Sequence, residues 1–141
     1  MDNLIDKKNL KKISELVPEV RGLAERHIAL CKAEGIDLLV VCAYRSPGEQ
    51  EKLYARGRDG QGKIVTNAAA GGSWHNFRRA YDVAVVEGGK IDWESVRYKR
   101  VGEIGSSLGL VWGGGFKAVR GDLGHFEYHP GMTLAQARRL L

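Results

Sequence analysis

The 141-residue sequence predicts an α+β fold: a small, mainly antiparallel sheet flanked by helices. Two observations predict it. Apolar residues recur at helical spacing in two N-terminal stretches, Asn9–Val17 and Glu19–Glu34. Four short runs rich in apolar and β-branched residues read as strands: about Leu38–Ala43, Ala80–Val86, Leu110–Trp112 and His125–Tyr128. The length suits one domain with a real core, and no linker, repeat or low-complexity segment divides it.

In chain order, Leu10, Ile13, Leu16 and Val17 define the apolar stripe of the first helix. Pro18 interrupts it. The second helix carries Val20, Leu23, Ala24, Ile28 and Cys31, and Gly35 suits its C-terminal cap. His27 is expected on that helix's surface. A buried strand follows, with Leu38-Leu39-Val40-Val41 at its centre. Ser46-Pro47-Gly48-Glu49 is a capping box with proline at the first helical position, opening a short helix that Gly57 ends. Arg45 therefore sits at a strand-to-helix corner, a common place for functional side chains. Arg58–Gly72 reads as a long polar loop of functional or mobile type. After the third-quarter strand, Glu87–Lys90 is a turn and Trp93–Leu108 is helical. Thr133–Gln136 is another capping box, starting a helix to Leu141.

Charged residues at 28% and hydrophobic residues at 43% fit a soluble globular chain. No apolar run approaches the roughly 20 residues of a membrane span. The N-terminus is acidic and lacks a signal-peptide core. Cys31 and Cys42 have no partner at C-x-x-C spacing and read as buried, reduced thiols. A net charge of +5 suits a polyanionic partner, either nucleic acid or the bacterial envelope. The sequence carries no helix-turn-helix, zinc-finger or aromatic RNA-binding pattern, which argues against nucleic acid.

The chemistry concentrates in Gly71–Val86, a glycine-rich stretch that becomes an apolar strand. Asp82 lies inside that strand, where a bare charge is costly without a cation, a metal or several donors. His75 stands seven residues upstream. A continuous helix would separate the two by about 10 Å of rise. A continuous strand would put them on opposite faces. For both to hold one metal the segment must bend, with His75 on a loop and Asp82 on the strand. Downstream, Gly121–Tyr128 has the same texture and carries His125. His75, Asp82 and His125 would form a three-ligand N/N/O site with a position left for water, as catalytic zinc requires. Asp122, three residues before His125, is the expected general base. Glu127 is a rival base, because it shares a strand face with His125, and His129 is a rival ligand.

Ser73-Trp74-His75-Asn76-Phe77-Arg78-Arg79-Ala80-Tyr81-Asp82 resembles the S-x-H-x-x-G-x-A-x-D signature of the D-Ala-D-Ala metallopeptidase family. Asp122-x-x-His125 resembles that family's second motif. The similarity runs from about Tyr44 to the C-terminus and includes Lys63–Ala68. It is nearest in kind to the L-alanyl-D-glutamate endopeptidases of phage endolysins and bacterial cell-wall hydrolases.

The resemblance implies a hedgehog/D-Ala-D-Ala-peptidase-like fold, one zinc ion, and hydrolysis of the L-Ala–D-Glu bond in the peptidoglycan stem peptide. It implies Asp122 and Arg45 as catalytic groups, with Arg45 at the developing oxyanion. Ser73, Arg45 and Trp112 are the expected substrate contacts. It favours His125 over His129 as ligand and Asp122 over Glu127 as base. Residues 1–141 would form one catalytic domain without a separate wall-binding domain, acting as a monomer. Such a chain would be made in the host cytoplasm and released with the help of a holin. A D-Ala-D-Ala carboxypeptidase and a non-catalytic metal-binding module, as in hedgehog domains, are the alternatives on this scaffold. Because ligation needs neutral imidazoles, zinc affinity is expected to fall below about pH 6. Arg78 stands where the family pattern has glycine. If that position has φ > 0, arginine strains it, and Arg78→Gly should raise stability or turnover.

Overall fold

The computed structural model describes residues 3–58, 62–66, 68–115 and 122–140. The elements run α1 (Asn3–Ile13), α2 (Pro18–Ala33), β1 (Asp37–Cys42), α3 (Pro47–Ala55), β2 (Ala80–Glu87), β3 (Lys90–Ile91), α4 (Tyr98–Ser107), β4 (Val111–Trp112), β5 (His125–Glu127) and α5 (Leu134–Arg138). Two 3₁₀ turns, Trp74–Phe77 and Gly113–Gly115, complete the set. The sheet order is β1-β2-β5-β4, with β3 pairing the far end of β2. Every pairing is antiparallel. The fold class read from the sequence is thus the one observed.

β2 is the organising strand because its alternation separates two environments. Tyr81, Val83 and Val85 point into the main core, against Val20, Ala24 and Cys31 of α2 and Val101 and Ile104 of α4. Asp82 lies between them on the other face. The register places Asp82 opposite Cys42 on one side and His125 on the other. A register shift between Val40 and Cys42 interrupts the β1 pairing there.

Several details differ from the sequence reading. The first helix begins at Asn3 and ends at Ile13, and Leu10 is exposed. A polar residue does the anchoring instead: buried Asn9 donates to the Leu38 carbonyl at 2.8 Å and accepts from Val40 N–H at 2.8 Å. These bonds pin α1 to β1. α4 starts at Tyr98 rather than Trp93. Asp92 and Ser95 accept from the backbone N–H groups of Glu94 and Arg97, which favours turns over a first helical turn. The last helix ends at Arg138. β3, two residues long, was too short to register as a pattern.

His27 is not a surface residue; it is wholly buried. Its Nε2 lies 2.8 Å from the Val101 carbonyl and must carry the proton, so Nδ1 accepts from the Tyr81 hydroxyl at 2.8 Å. Its ring packs edge-on against Phe126 at 4.4 Å. Burial pushes its pKa down, although the Val101 bond opposes this. Such a histidine is satisfied core, held neutral.

Candidate active site

The bend required between His75 and Asp82 is built by local chemistry. Ser73 caps the 3₁₀ turn: its Oγ accepts from His75 N–H at 3.2 Å, while the Asn76 side chain accepts from Ser73 N–H at 3.3 Å. Arg78 then takes a left-handed conformation, φ 62° and ψ 33°, and reverses the chain into β2. It is the one non-glycine residue with positive φ among those described. Its guanidinium donates to the Glu15 carbonyl at 2.9 Å and lies over the Tyr44 ring at 4.0 Å. Ser73, an expected substrate contact, thus also makes a structural bond that orients the turn.

His75 and His125 approach Asp82 from neighbouring segments. His75 Nδ1 donates to the Ala43 carbonyl at 2.8 Å, which turns Nε2 toward Asp82 at 3.2 Å. His125 presents Nδ1 to Asp82 Oδ1 at 2.9 Å and Nε2 to Glu127 Oε1 at 2.7 Å. The two rings are 5.1 Å apart, edge to face. Ligand-type atoms of Asp82, Asp122 and His125 lie within 4.8 Å of one another, as do those of Cys42, His75 and Asp82. Both groups share Asp82. The far nitrogen of each imidazole is anchored, so the near ones converge on the carboxylate. A borderline N/N/O donor set of this kind fits zinc.

The charges are strongly coupled. Burial alone would raise the Asp82 carboxyl, but bonds from His125 and His75 outweigh it and hold it well below the usual carboxylate range. Burial alone would lower both imidazoles. Instead Asp82, with Cys42, lifts His75 to about 10, and Asp82 with Glu127 lifts His125 to about 9. The Asp122 carboxyl is shifted up, first by partial withdrawal from water and then by the Asp82 charge.

Asp122 belongs to the turn entering β5, where His125 N–H donates to its carbonyl at 3.0 Å. Gly113 makes this approach possible. A Cβ there would strike the Asp122 carbonyl and come within 2.9 Å of His125 Cβ. Arg45 lies across the site, its Nη2 4.0 Å from Asp82 Oδ2 and 3.4 Å from Cys42 Sγ. These side chains form the floor of a cleft of about 1430 Å³, walled in part by Ile64, Thr66, Trp93, Leu123 and Leu134.

Sequence reasoning missed two site residues. Gln50, fully buried, accepts from Arg45 Nη1 at 2.9 Å and donates to the Ala68 carbonyl at 2.7 Å, tying the arginine to the loop wall. Its position one turn into α3, five residues after Arg45, was the available signal. Cys42 is not merely a buried thiol: it borders His75 at 3.7 Å. Burial would raise its pKa, but His75 and Arg45 reverse this and lower it. Trp112, an expected substrate contact, packs over Gly102 and Gly114, and its indole N–H donates to the Leu123 carbonyl at 2.8 Å. Phe116, Asn67 and Gly121, also singled out from the sequence, lie outside the described residues.

The family model described as D-alanyl-D-alanine carboxypeptidase matches residues 66–128, which contain every proposed ligand. The peptidoglycan L-alanyl-D-glutamate endopeptidase CwlK of Bacillus subtilis is 35% identical, over 83% of this chain and 75% of its own. The chain belongs to the D-Ala-D-Ala metallopeptidase family. The fold is likewise shared with the L-Ala D-Glu endopeptidase ChiX of Serratia marcescens, at TM-score 0.62 and 21% identity over 86% of each chain. It is shared too with the vancomycin-resistance D,D-pentapeptidase VanY, crystallised with Zn(II), at TM-score 0.60 and 16% identity over 89% of this chain and 77% of that one.

Proposed function

We infer that the chain is a zinc-dependent peptidoglycan endopeptidase that hydrolyses the L-Ala–D-Glu bond of the stem peptide. The observation that carries this is the convergence of His75 Nε2 and His125 Nδ1 on Asp82, on the floor of a cleft with Asp122 beside them. The likeness to an L-alanyl-D-glutamate endopeptidase supports the choice of bond. His75, Asp82 and His125 would hold the ion, which supplies Lewis acidity in such sites.

The chain's own residues do the rest. Asp122, exposed at the cleft and with its pKa shifted up, accepts a proton from the attacking water at a carboxylate oxygen and delivers it to the leaving amine. Arg45, fixed by Gln50, offers its guanidinium to the carbonyl oxygen as negative charge develops there. Thr66 and Ala68, fastened at their carbonyls by Arg58 and Gln50, give the stem peptide a fixed surface. The cell wall is accordingly the site of action. No described helix is long and apolar enough to cross a membrane.

Digestion of purified peptidoglycan with the zinc-loaded protein, followed by mass spectrometry of the new termini, tests this reading. New C-terminal L-Ala and N-terminal D-Glu ends are expected. Release of free D-Ala instead would identify a carboxypeptidase. Absence of any new terminus, with zinc bound, would leave a non-catalytic metal-binding module.

A further inference from the structure

Glu127 sits two residues after His125 on β5, so their side chains share a face. It is a buried carboxylate, 8% exposed, and both its oxygens are engaged. Oε1 meets His125 Nε2 at 2.7 Å, and Oε2 meets His129 Nε2. The His129 ring in turn stacks on Trp74, centroids 4.0 Å apart and planes 6° from parallel. Trp74 is the residue before His75. A closed circuit of contacts therefore runs from His125 through Glu127, His129 and Trp74 back to His75.

We propose that Glu127 and His129 are positioning residues: an outer support that sets the tautomer and rotation of His125 and fixes its distance from the His75 turn. The argument is one of donors and acceptors. A carboxylate can only accept, so Glu127 holds the His125 proton on Nε2. In the neutral ring this turns the Nδ1 lone pair toward Asp82, where a cation would sit. Carboxylate partners of this kind orient histidine ligands and raise their basicity. With an imidazole on each oxygen, Glu127 is held as a partner of His125 rather than left loose in the cleft. His129 is needed because it takes the second oxygen, stopping the carboxylate from rotating, and passes the restraint to Trp74. Glu127, at the centre of this chain, is buried with both oxygens partnered, the condition under which such groups rigidify a site.

The inference rests on the zinc-peptidase reading, and the test separates the two. Zinc dissociation constants would be measured by chelator competition for wild type, Glu127→Ala, Glu127→Gln and His129→Ala, beside the melting temperature of each metal-free protein. Glu127→Ala should weaken zinc binding about 10–100-fold, the usual effect of removing such a partner. Glu127→Gln keeps an acceptor for His125 and should recover most of that loss. His129→Ala should show a smaller loss in the same direction. A purely structural role would lower the metal-free melting temperature and leave zinc affinity unchanged in the folded variants. Unchanged affinity in all three variants, with zinc bound by wild type, would overturn the support role alone. Wild type that takes up no zinc would overturn the metallopeptidase reading and this inference with it. If Glu127→Ala does not fold, the Gln and His129 variants carry the same comparison.

Discussion

Substitution of Arg78 isolates what a left-handed non-glycine residue costs and what offsets it. At φ 62° an arginine carries roughly 1–2 kcal/mol of backbone strain. Against this stand the bond to the Glu15 carbonyl, about 1 kcal/mol, and the stack on Tyr44, about 0.5–1 kcal/mol at an exposed site. Arg78→Ala keeps the strain and loses both contacts, so it should destabilise the fold by about 1.5–2 kcal/mol. Arg78→Gly loses the same contacts but sheds the strain, less about 0.5–1 kcal/mol of extra chain entropy. It should fall within about 1 kcal/mol of wild type and above alanine. This revises the sequence expectation that glycine would be the better residue, because the contacts were invisible there. Urea unfolding of the three proteins measures the differences, and zinc stoichiometry should stay the same in all. Alanine as stable as glycine would refute the strain argument. Glycine clearly more stable than wild type would show that the two contacts contribute nothing.

Asp122→Ala should keep the fold and one zinc while hydrolysis slows by about 10²–10⁴; loss of zinc would instead make Asp122 a ligand. Because His75 and His125 are lifted to about 10 and about 9, zinc should compete with protons for both rings already at neutral pH. Calorimetry in buffers of different ionisation enthalpy should count close to two protons released per zinc at pH 7, and a count near zero would disprove the coupled arrangement. The same shifts have a stability sign. Raised imidazole pKa values stabilise the metal-free fold fully below their ordinary 6.5, and this stability fades as pH rises through about 9 and about 10, which chemical unfolding across that range would detect. His27 works oppositely: its lowered pKa means stability is present above 6.5 and lost as pH falls below it. His27→Leu should flatten the acid limb of the metal-free stability profile, and an unchanged limb would mean that His27 does not titrate in the unfolding reaction.

The sheet and its flanking helices were legible because runs of apolar and β-branched residues and helical spacing are local properties, and four of the five strands lie in such runs. The ligand-bearing motifs were legible for a different reason: a carboxylate inside β2 needs cations, and histidines near glycine turns supply them. What was not legible depends on pairing between distant segments. His27 sits on a helix whose sequence gives no sign that the Tyr81 hydroxyl and Val101 carbonyl will close over it. Cys42 reads as an ordinary strand residue until the shift after Val40 sets it opposite Asp82. Asn9 looks like a helix-surface polar group, yet β1 leaves it two backbone partners at hydrogen-bond distance. Trp112 gives no sign in the sequence that glycines at 102 and 114 will make room for its ring.

The register that sets Asp82 between Cys42 and His125 also fixes the order in which the site is assembled. His75 and Asp82 are neighbours in sequence, separated only by a capped turn, so their half of the site forms at small entropic cost. His125 is 43 residues further along and arrives only when β5 docks on β2. During synthesis or refolding the chain can hold a carboxylate and one imidazole early, yet it gains its third donor and Asp122 with the last strand. A chain whose sheet lacks β5 therefore lacks one of the three proposed donors. A slip of one residue between β2 and β5 would carry His125 to the opposite face, so a misregistered sheet is also an inert one.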